Sequence, residues 1–463
     1  MIAQERGFGL YSVKNGKDIK LAMQSLWLTG QVHTFGARLL VSHVLKSNET
    51  EAIEAVYSFM LPREATLRRF YITGEGFSVH SDLRPTQEAE KEYERGIEAG
   101  HLSAFSKIYG DGIVNLNVGN IRPEEEITVH LEILAGVESH YNGFRFRFPF
   151  TLAPSYHAQA KMIQCTDGQG EIELPEDKFG DVILPTFMKD SDNLHKIGFN
   201  LNVHLQKDNL QIASPSHNVT TKHIKENTTK VSLSVENDVP NRDLVLDVHT
   251  KDPILQVAQG VDLTGQTSFI FSIPSNEFGE TTQKERNFVF LFDRSGSMGG
   301  KPMDQAKNAL RACISALSET DRFSLVAFNN DVEIFDSLVN GTMENRERLE
   351  KFLDGIEARG GTELMHGIKT ASSILEGMQG DIMVITDGQV SGGENIMQHA
   401  KALSLRLHIL GIGAASQDRF ISSLARETGG ISKFVTPRER IDLVALELFS
   451  GIGRPVATDY KQN

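Results

Sequence analysis

The segment Asp293-Arg294-Ser295-Gly296-Ser297 sets a carboxylate and two hydroxyls two residues apart on a short glycine-containing turn. Hard oxygens at that spacing can point at one small cation. Two later segments offer matching pieces: Gly360-Gly361-Thr362 adds a third hydroxyl, and Thr386-Asp387-Gly388 adds a second carboxylate. Mg2+ takes about six oxygens in near-octahedral geometry, with few direct carboxylates and several waters kept. A set in which Ser295, Ser297 and Thr362 bind directly, while Asp293 and Asp387 hold waters, leaves Mg2+ (or Mn2+) electrophilic. An open position on such an ion would take an acidic side chain from a partner. The competing explanation is structural, because Asp, Ser and Thr also cap helices and Asp387-Gly388 is a good turn pair.

For five oxygens to converge, the loops that carry them must leave one edge of one sheet. The stretch Asn287-Phe288-Val289-Phe290-Leu291-Phe292 is a continuous apolar run, the texture of a parallel strand buried on both faces. Behind it Pro302 suits a first helical turn, and Ala306, Ala309, Leu310, Cys313, Ile314 and Leu317 form an apolar stripe at spacings of three and four. Phe323 to Phe328, Ile382 to Ile385 and Leu405 to Ile412 repeat the buried-strand texture. Helical stretches at Glu344 to Ile356, Met365 to Met378 and Asp418 to Glu427 fall between them. Alternating strands and helices predict a doubly wound, Rossmann-like α/β domain over 286–456, whose ligands bind beyond the carboxyl ends of the strands.

Upstream the period is two. Ala37, Leu39 and Val41 alternate with other residues, as do Phe144, Phe146, Phe148 and Phe150, predicting half-buried strands in an N-terminal β-sandwich over 20–154. One charged helix interrupts it from Gln87 to Ala99, with Gly100 at the capping position; a solvated face explains its charge. Alternation at Ile197 to Leu205, Val231 to Val235, Leu244 to Leu246 and Phe269 to Ile273 predicts a second antiparallel β region over 155–285.

Composition narrows the function. The 463 residues carry 47 basic and 61 acidic side chains, a net charge of −14. Such a balance repels a phosphate backbone unless basic residues are segregated onto one face, and the sequence holds no basic run; no nucleic acid partner is expected. The two cysteines, Cys165 and Cys313, lie too far apart in the sequence to suggest a disulfide framework or thiolate cluster, and the 15 histidines form no zinc-spaced pair. No apolar run reaches the 18 or so residues of a membrane helix, and the N-terminus lacks a signal-like stretch. A cytoplasmic location is expected, with the sequons at Asn48, Asn218, Asn227 and Asn340 as chance occurrences, or a secreted or cell-surface one if a signal was removed.

Asp293-x-Ser295-x-Ser297, then Thr362, then Asp387, resembles the metal-ion-dependent adhesion site of von Willebrand factor type A domains, with its five residues in order. The resemblance spans roughly Arg286 to Arg454 and implies Mg2+ or Mn2+ bridging to a partner carboxylate. Arg294, Gly299 and Gly300 depart from the integrin β pattern, so a second, adjacent metal site is not implied. Phe59-Met60-Leu61-Pro62, Ala89 to Tyr93 followed by Gly100-His101-Leu102, and Val118-Gly119-Asn120-Ile121-Arg122-Pro123 together resemble the vault protein inter-alpha-trypsin domain. This domain order is similar to that of inter-alpha-trypsin inhibitor heavy chains and their intracellular and bacterial relatives. Their C-terminal covalent attachment to glycosaminoglycan is not carried over. The implied function is non-enzymatic, metal-dependent protein binding.

Two rivals remain. Ser295-Gly296-Ser297-Met298-Gly299 nearly matches a nucleophile elbow, but a Ser297 hydrolase needs a histidine on a late loop and the late His408 lies mid-strand. Transfer through an aspartate nucleophile lacks its second acid, since Ser295 occupies that position. A scaffold whose metal site is vestigial is the other alternative.

Overall fold

The computed structural model describes residues 21–150, 196–274, 285–388 and 393–452, apart from 48–49, 63, 83, 109–112, 141, 206–209, 226, 237, 241, 252–254, 262–263, 379, 404, 413–417 and 436–438, together with strand segments Leu10–Tyr11, Lys161–Thr166, Gln169–Glu173 and Ile183–Pro185. The chain forms two compact units, one reaching Pro274 and one starting at Ser275.

The N-terminal unit is built on an eight-stranded sheet. Its order is Val219–Lys225, Thr228–Leu233, Lys196–His204, Leu21–His33, Gly36–Ser47, Glu126–Ala135, Thr66–Gly74 and Phe77–His80. Strand Lys196–His204 lies parallel to Leu21–His33, from Lys196 opposite Ser25 to His204 opposite His33. The expected boundary between residues 154 and 155 is therefore crossed by backbone pairing. Alternation tells each strand which face to bury but not which strand to sit beside. A four-stranded sheet makes the same crossing, because Gly143–Phe148 pairs with Leu244–His249. In it Phe144, Phe146 and Phe148 are buried, while Arg145 sits opposite Asp247 and donates through Nε and Nη2 at 2.6 and 2.9 Å. One hydrophobic cluster takes in Val41, Leu131 and Leu201 of the large sheet with Leu116, Phe146 and Leu246 of the smaller ones. The charged helix spans Thr86–Glu98, buries no residue, and is closed by Gly100 at φ 74°.

The C-terminal unit has the order Val332–Ile334, Arg322–Phe328, Asn287–Asp293, Asp381–Thr386, Arg406–Ile412 and Ser432–Val435. Every pairing from Arg322–Phe328 to Ser432–Val435 is parallel, and Val332–Ile334 adds an antiparallel edge. Successive side chains of Asn287–Asp293 serve different cores. Phe288, Phe290 and Phe292 pack with helices Lys301–Ser315, Met343–Asp354 and Ile441–Gly451. Val289 and Leu291 pack with Leu364–Ile374, Gly393–Ala402 and Asp418–Glu427. Burial on both faces explains the unbroken apolar run, and truncating fully buried Phe290 to Ala should cost about 3–5 kcal/mol. The chain runs from Asn287–Asp293 to its neighbour on one side, then returns to Asp381–Thr386 on the other. That reversal of strand order opens a crevice at the carboxyl ends of these two strands.

Candidate metal centre

Asp293 is the last residue of its strand and is fully buried. Its Oδ1 accepts the Ser295 backbone N–H at 2.8 Å, which folds the turn back over the strand end. Its Oδ2 accepts the Thr386 hydroxyl at 2.6 Å from the neighbouring parallel strand. The same hydroxyl accepts Gly388 N–H at 2.9 Å and so shapes the loop that starts at buried Asp387. Burial first, and the Asp387 carboxylate second, push the Asp293 carboxyl up to about 7. Two acids thus face each other away from water. The adjacent Arg294 guanidinium pairs with Glu333.

Ser295 is buried and Ser297 exposed, with their hydroxyl oxygens 3.1 Å apart. Two neighbouring ligands of an octahedral Mg2+ at ordinary bond lengths lie about 2.9 Å apart. The Thr362 loop is tied to this turn by its backbone: Arg359 N–H donates to the Arg294 carbonyl at 2.7 Å, and Gly296 N–H to the Gly360 carbonyl at 2.9 Å. Asn329 and Asn330, at the end of the Arg322–Phe328 strand, clamp the other side. Asn329 Nδ2 donates to the Arg359 carbonyl at 2.9 Å, and Asn330 Oδ1 accepts Gly361 N–H at 2.7 Å.

Helix capping does not account for these hydroxyls. The 3-10 turn Gly296–Met298, helix Lys301–Ser315 and helix Leu364–Ile374 have Ser295, Gly300 and Glu363 at their N-caps, and none receives a side-chain capping bond. The donor set fits a small hard cation: paired buried carboxylates demand positive charge, and the oxygens beside them are neutral hydroxyls. No group of three or more His, Cys, Asp or Glu suited to a metal occurs among the described residues, so a cation here would depend on the hydroxyls.

The structure brings Asp293, Ser295, Ser297 and Asp387 to adjoining strand ends and ties the Thr362 loop to them. Thr386, Asn329 and Asn330 are supporting residues that the motif does not name; a threonine directly before the strand-end aspartate and an Asn pair closing the adjacent strand were the available signals. His408 is not delivered to Ser297. It pairs with Met383, three residues before Thr386, and its ring lies 3.7 Å from Asp381 at the other end of the strand. Cys313 is a buried free thiol, pushed up to about 12 by burial. The Cys165 side chain lies outside the described residues.

Residues 288–389 match the von Willebrand factor type A domain, and residues 23–133 match the vault protein inter-alpha-trypsin domain. Similar proteins include von Willebrand factor A domain-containing protein 5A of Rattus norvegicus, 24% identical over 93% of this chain and 54% of that protein. The Homo sapiens protein of the same name is 23% identical over 94% of this chain and 58% of its own length. A von Willebrand factor A domain-containing protein of Dictyostelium discoideum is 22% identical over 88% and 41%. The chain spans about half the length of these curated relatives. Among solved structures, a von Willebrand factor type A protein from Catenulispora acidiphila is 21% identical, aligned over 36% of this chain and 43% of that one with a TM-score of 0.34.

Proposed function

We propose that this chain, a vault protein inter-alpha-trypsin domain followed by a von Willebrand factor type A domain, captures a protein partner through a divalent cation and an acidic side chain of that partner. The observation that carries this reading is the buried Asp293 and Asp387 pair beside the Ser295 and Ser297 hydroxyls. A bound Mg2+ or Mn2+ would supply positive charge with one open coordination position. Ser295, Ser297 and Thr362 would offer it neutral oxygens. Asp293 and Asp387 would hold waters, with the Thr386 hydroxyl fixing the orientation of Asp293. Ser297 is exposed, which leaves the outer side of the site open to a partner. Non-enzymatic binding is favoured over Ser297 hydrolysis because His408, the late candidate base, lies beside Asp381 at the other end of its neighbouring strand. The N-terminal sheets we read as a β-sandwich, since strands of the large and small sheets share one hydrophobic cluster.

The test is calorimetric titration of Mg2+ and Mn2+ into chelator-stripped protein and into Asp293→Ala. Saturable binding in the parent that vanishes in the variant, with both folded, is the expected result. Partner capture that survives chelation would replace this reading with the metal-free scaffold.

A further inference from the structure

The eight-stranded sheet turns one face to its core and the other to solvent. Along Gly36–Ser47, Leu39, Val41 and Leu45 are buried, while Arg38, Leu40 and Ser42 point the other way. Register carries this second face across the sheet. Lys222 sits opposite Lys230, Lys230 opposite Asn202, Asn202 opposite Gln31, and Gln31 opposite Arg38. Two lysines placed directly across from each other cost stability. No carboxylate among the described residues lies within ion-pair distance of either.

At the Arg38 end, three guanidiniums converge on one carboxylate. Arg38, Arg68 and Arg69 reach Glu132 at 3.5, 3.3 and 2.5 Å, and their side chains stay 59, 51 and 52% exposed while that of Glu132 is 12% exposed. One negative charge against three leaves this end cationic, and Lys222, Lys225 and Lys230 make the other end cationic. Six cations and one acid thus share a band crossing seven strands, roughly 29 Å at about 4.8 Å per strand. The chain as a whole is acidic at −14. Charges that are scattered in sequence have been gathered on one face by strand pairing, the circumstance that reopens a polyanion as a partner.

Beside this band lies the sole tryptophan of the chain. Trp27 stands opposite Gly198, where any Cβ would collide with its six-membered ring, so the indole lies flat on the sheet over the glycine. It is still 37% exposed. Uncharged hydrogen-bonding groups fill the space between the ring and the cations: Thr29 and Asn200 in one row, Gln31 and Asn202 in the next. A flat aromatic platform, neighbouring amides and flanking cations match a ligand that combines regularly spaced oxyanions with planar apolar rings.

We infer that this solvent-facing side of the eight-stranded sheet binds single-stranded nucleic acid, with a base stacked on Trp27 and phosphates on the lysine and arginine ends. The binding does not involve the candidate metal centre, so it is measured in the presence of chelator, where failure of one reading leaves the other standing.

Single-stranded oligo(dT) and oligo(U) are titrated into the full chain at several salt concentrations while the fluorescence of Trp27 is followed. Expected are quenching of that lone indole, excited selectively over the tyrosines, and an affinity that falls with salt. In Lys222→Ala/Lys230→Ala the slope of log K against log salt should shrink by about 1.4, at about 0.7 per phosphate contact. Trp27→Leu, followed by anisotropy of labelled oligonucleotide, should weaken binding about tenfold or more without changing the salt slope. Thermal melts of both variants confirm that they remain folded. Unquenched fluorescence together with salt-independent or absent binding overturns the inference. So does equal binding of heparin fragments that ignores Trp27→Leu, which would make the face a sulfated-glycan surface instead.

Discussion

The Thr386 hydroxyl donates to Asp293 Oδ2 at 2.6 Å across the two central parallel strands, and accepts Gly388 N–H at 2.9 Å. One buried side chain therefore orients the acid at the first strand end and shapes the loop at the second. Thr386→Val keeps the volume and removes both bonds. Leaving a buried acceptor unmet costs about 1–3 kcal/mol, which a urea melt of chelator-treated protein will show. Loss of such an orienting bond typically weakens metal affinity about 10- to 100-fold. A variant with parental Mg2+ affinity by calorimetry would separate Thr386 from the site.

The raised Asp293 carboxyl sets a pH dependence with a definite sign. Its folded value is about 7 against an ordinary 3.8, driven by burial and then by Asp387. The stability it contributes is fully present below about pH 4 and is lost as pH climbs through about 7. In chelator, the melting temperature should therefore fall between about pH 4 and about pH 7 more steeply in the parent than in Asp293→Asn, and the two profiles should run parallel above that. Added Mg2+ should restore more stability at the upper end, and near pH 6 its binding should release protons, seen as a buffer-dependent heat. Identical pH profiles for parent and Asp293→Asn would contradict this account.

Arg286 anchors the start of the same strand. Its guanidinium holds Asp321 at 2.6 and 3.0 Å and lies 4.7 Å from the centre of the Phe449 ring. Burial pushes the Asp321 carboxyl up, but the bond to Arg286 and the Ser318 backbone bond outweigh it and leave the carboxyl below its ordinary range. Arg286→Met strands a buried carboxylate and should cost about 3–5 kcal/mol at neutral pH. The penalty should shrink as pH falls through the carboxylate range, where the parent also loses this contribution. Seven residues of strand, about 23 Å, separate Arg286 from Asp293, so Mg2+ affinity of the folded variant should match the parent. A changed affinity would mean that the strand moves as a unit.

The elements of the C-terminal unit were legible because burial on both faces writes itself as unbroken apolar runs, and Phe288 to Phe292 cannot be exposed on either side. The placing of Asp293, Ser295, Ser297 and Asp387 at adjoining strand ends was legible because these residues follow directly on two of those runs, whereas Thr362 follows none. Thr386 was not, since a threonine inside a strand reads as an ordinary β-former until its hydroxyl is seen to meet Asp293. The joining of Leu21–His33 to Lys196–His204 was not either, because alternation is identical whichever strand lies alongside. For the same reason Arg38 and Lys222 are unrelated in sequence and share a band only after pairing.

Gly360 ties backbone conformation to the site. It adopts φ 74°, and a Cβ there would come within 2.9 Å of Asn329 Nδ2, the group that donates to the Arg359 carbonyl. Its own carbonyl accepts Gly296 N–H at 2.9 Å, beside Ser295 and Ser297. Gly377 has a similar φ of 76° but open space where a Cβ would go. Gly377→Ala should therefore lose only the left-handed backbone penalty, about 1–2 kcal/mol, with Mg2+ binding intact. Gly360→Ala should lose that and also displace the clamp, moving the Thr362 loop away from the serine turn. A loss of about 1.4 kcal/mol of binding, tenfold in affinity, is the expected calorimetric signature. If both variants lost stability equally and bound Mg2+ like the parent, the Thr362 loop would have no part in holding the ion, leaving the two serines and two aspartates to account for the site.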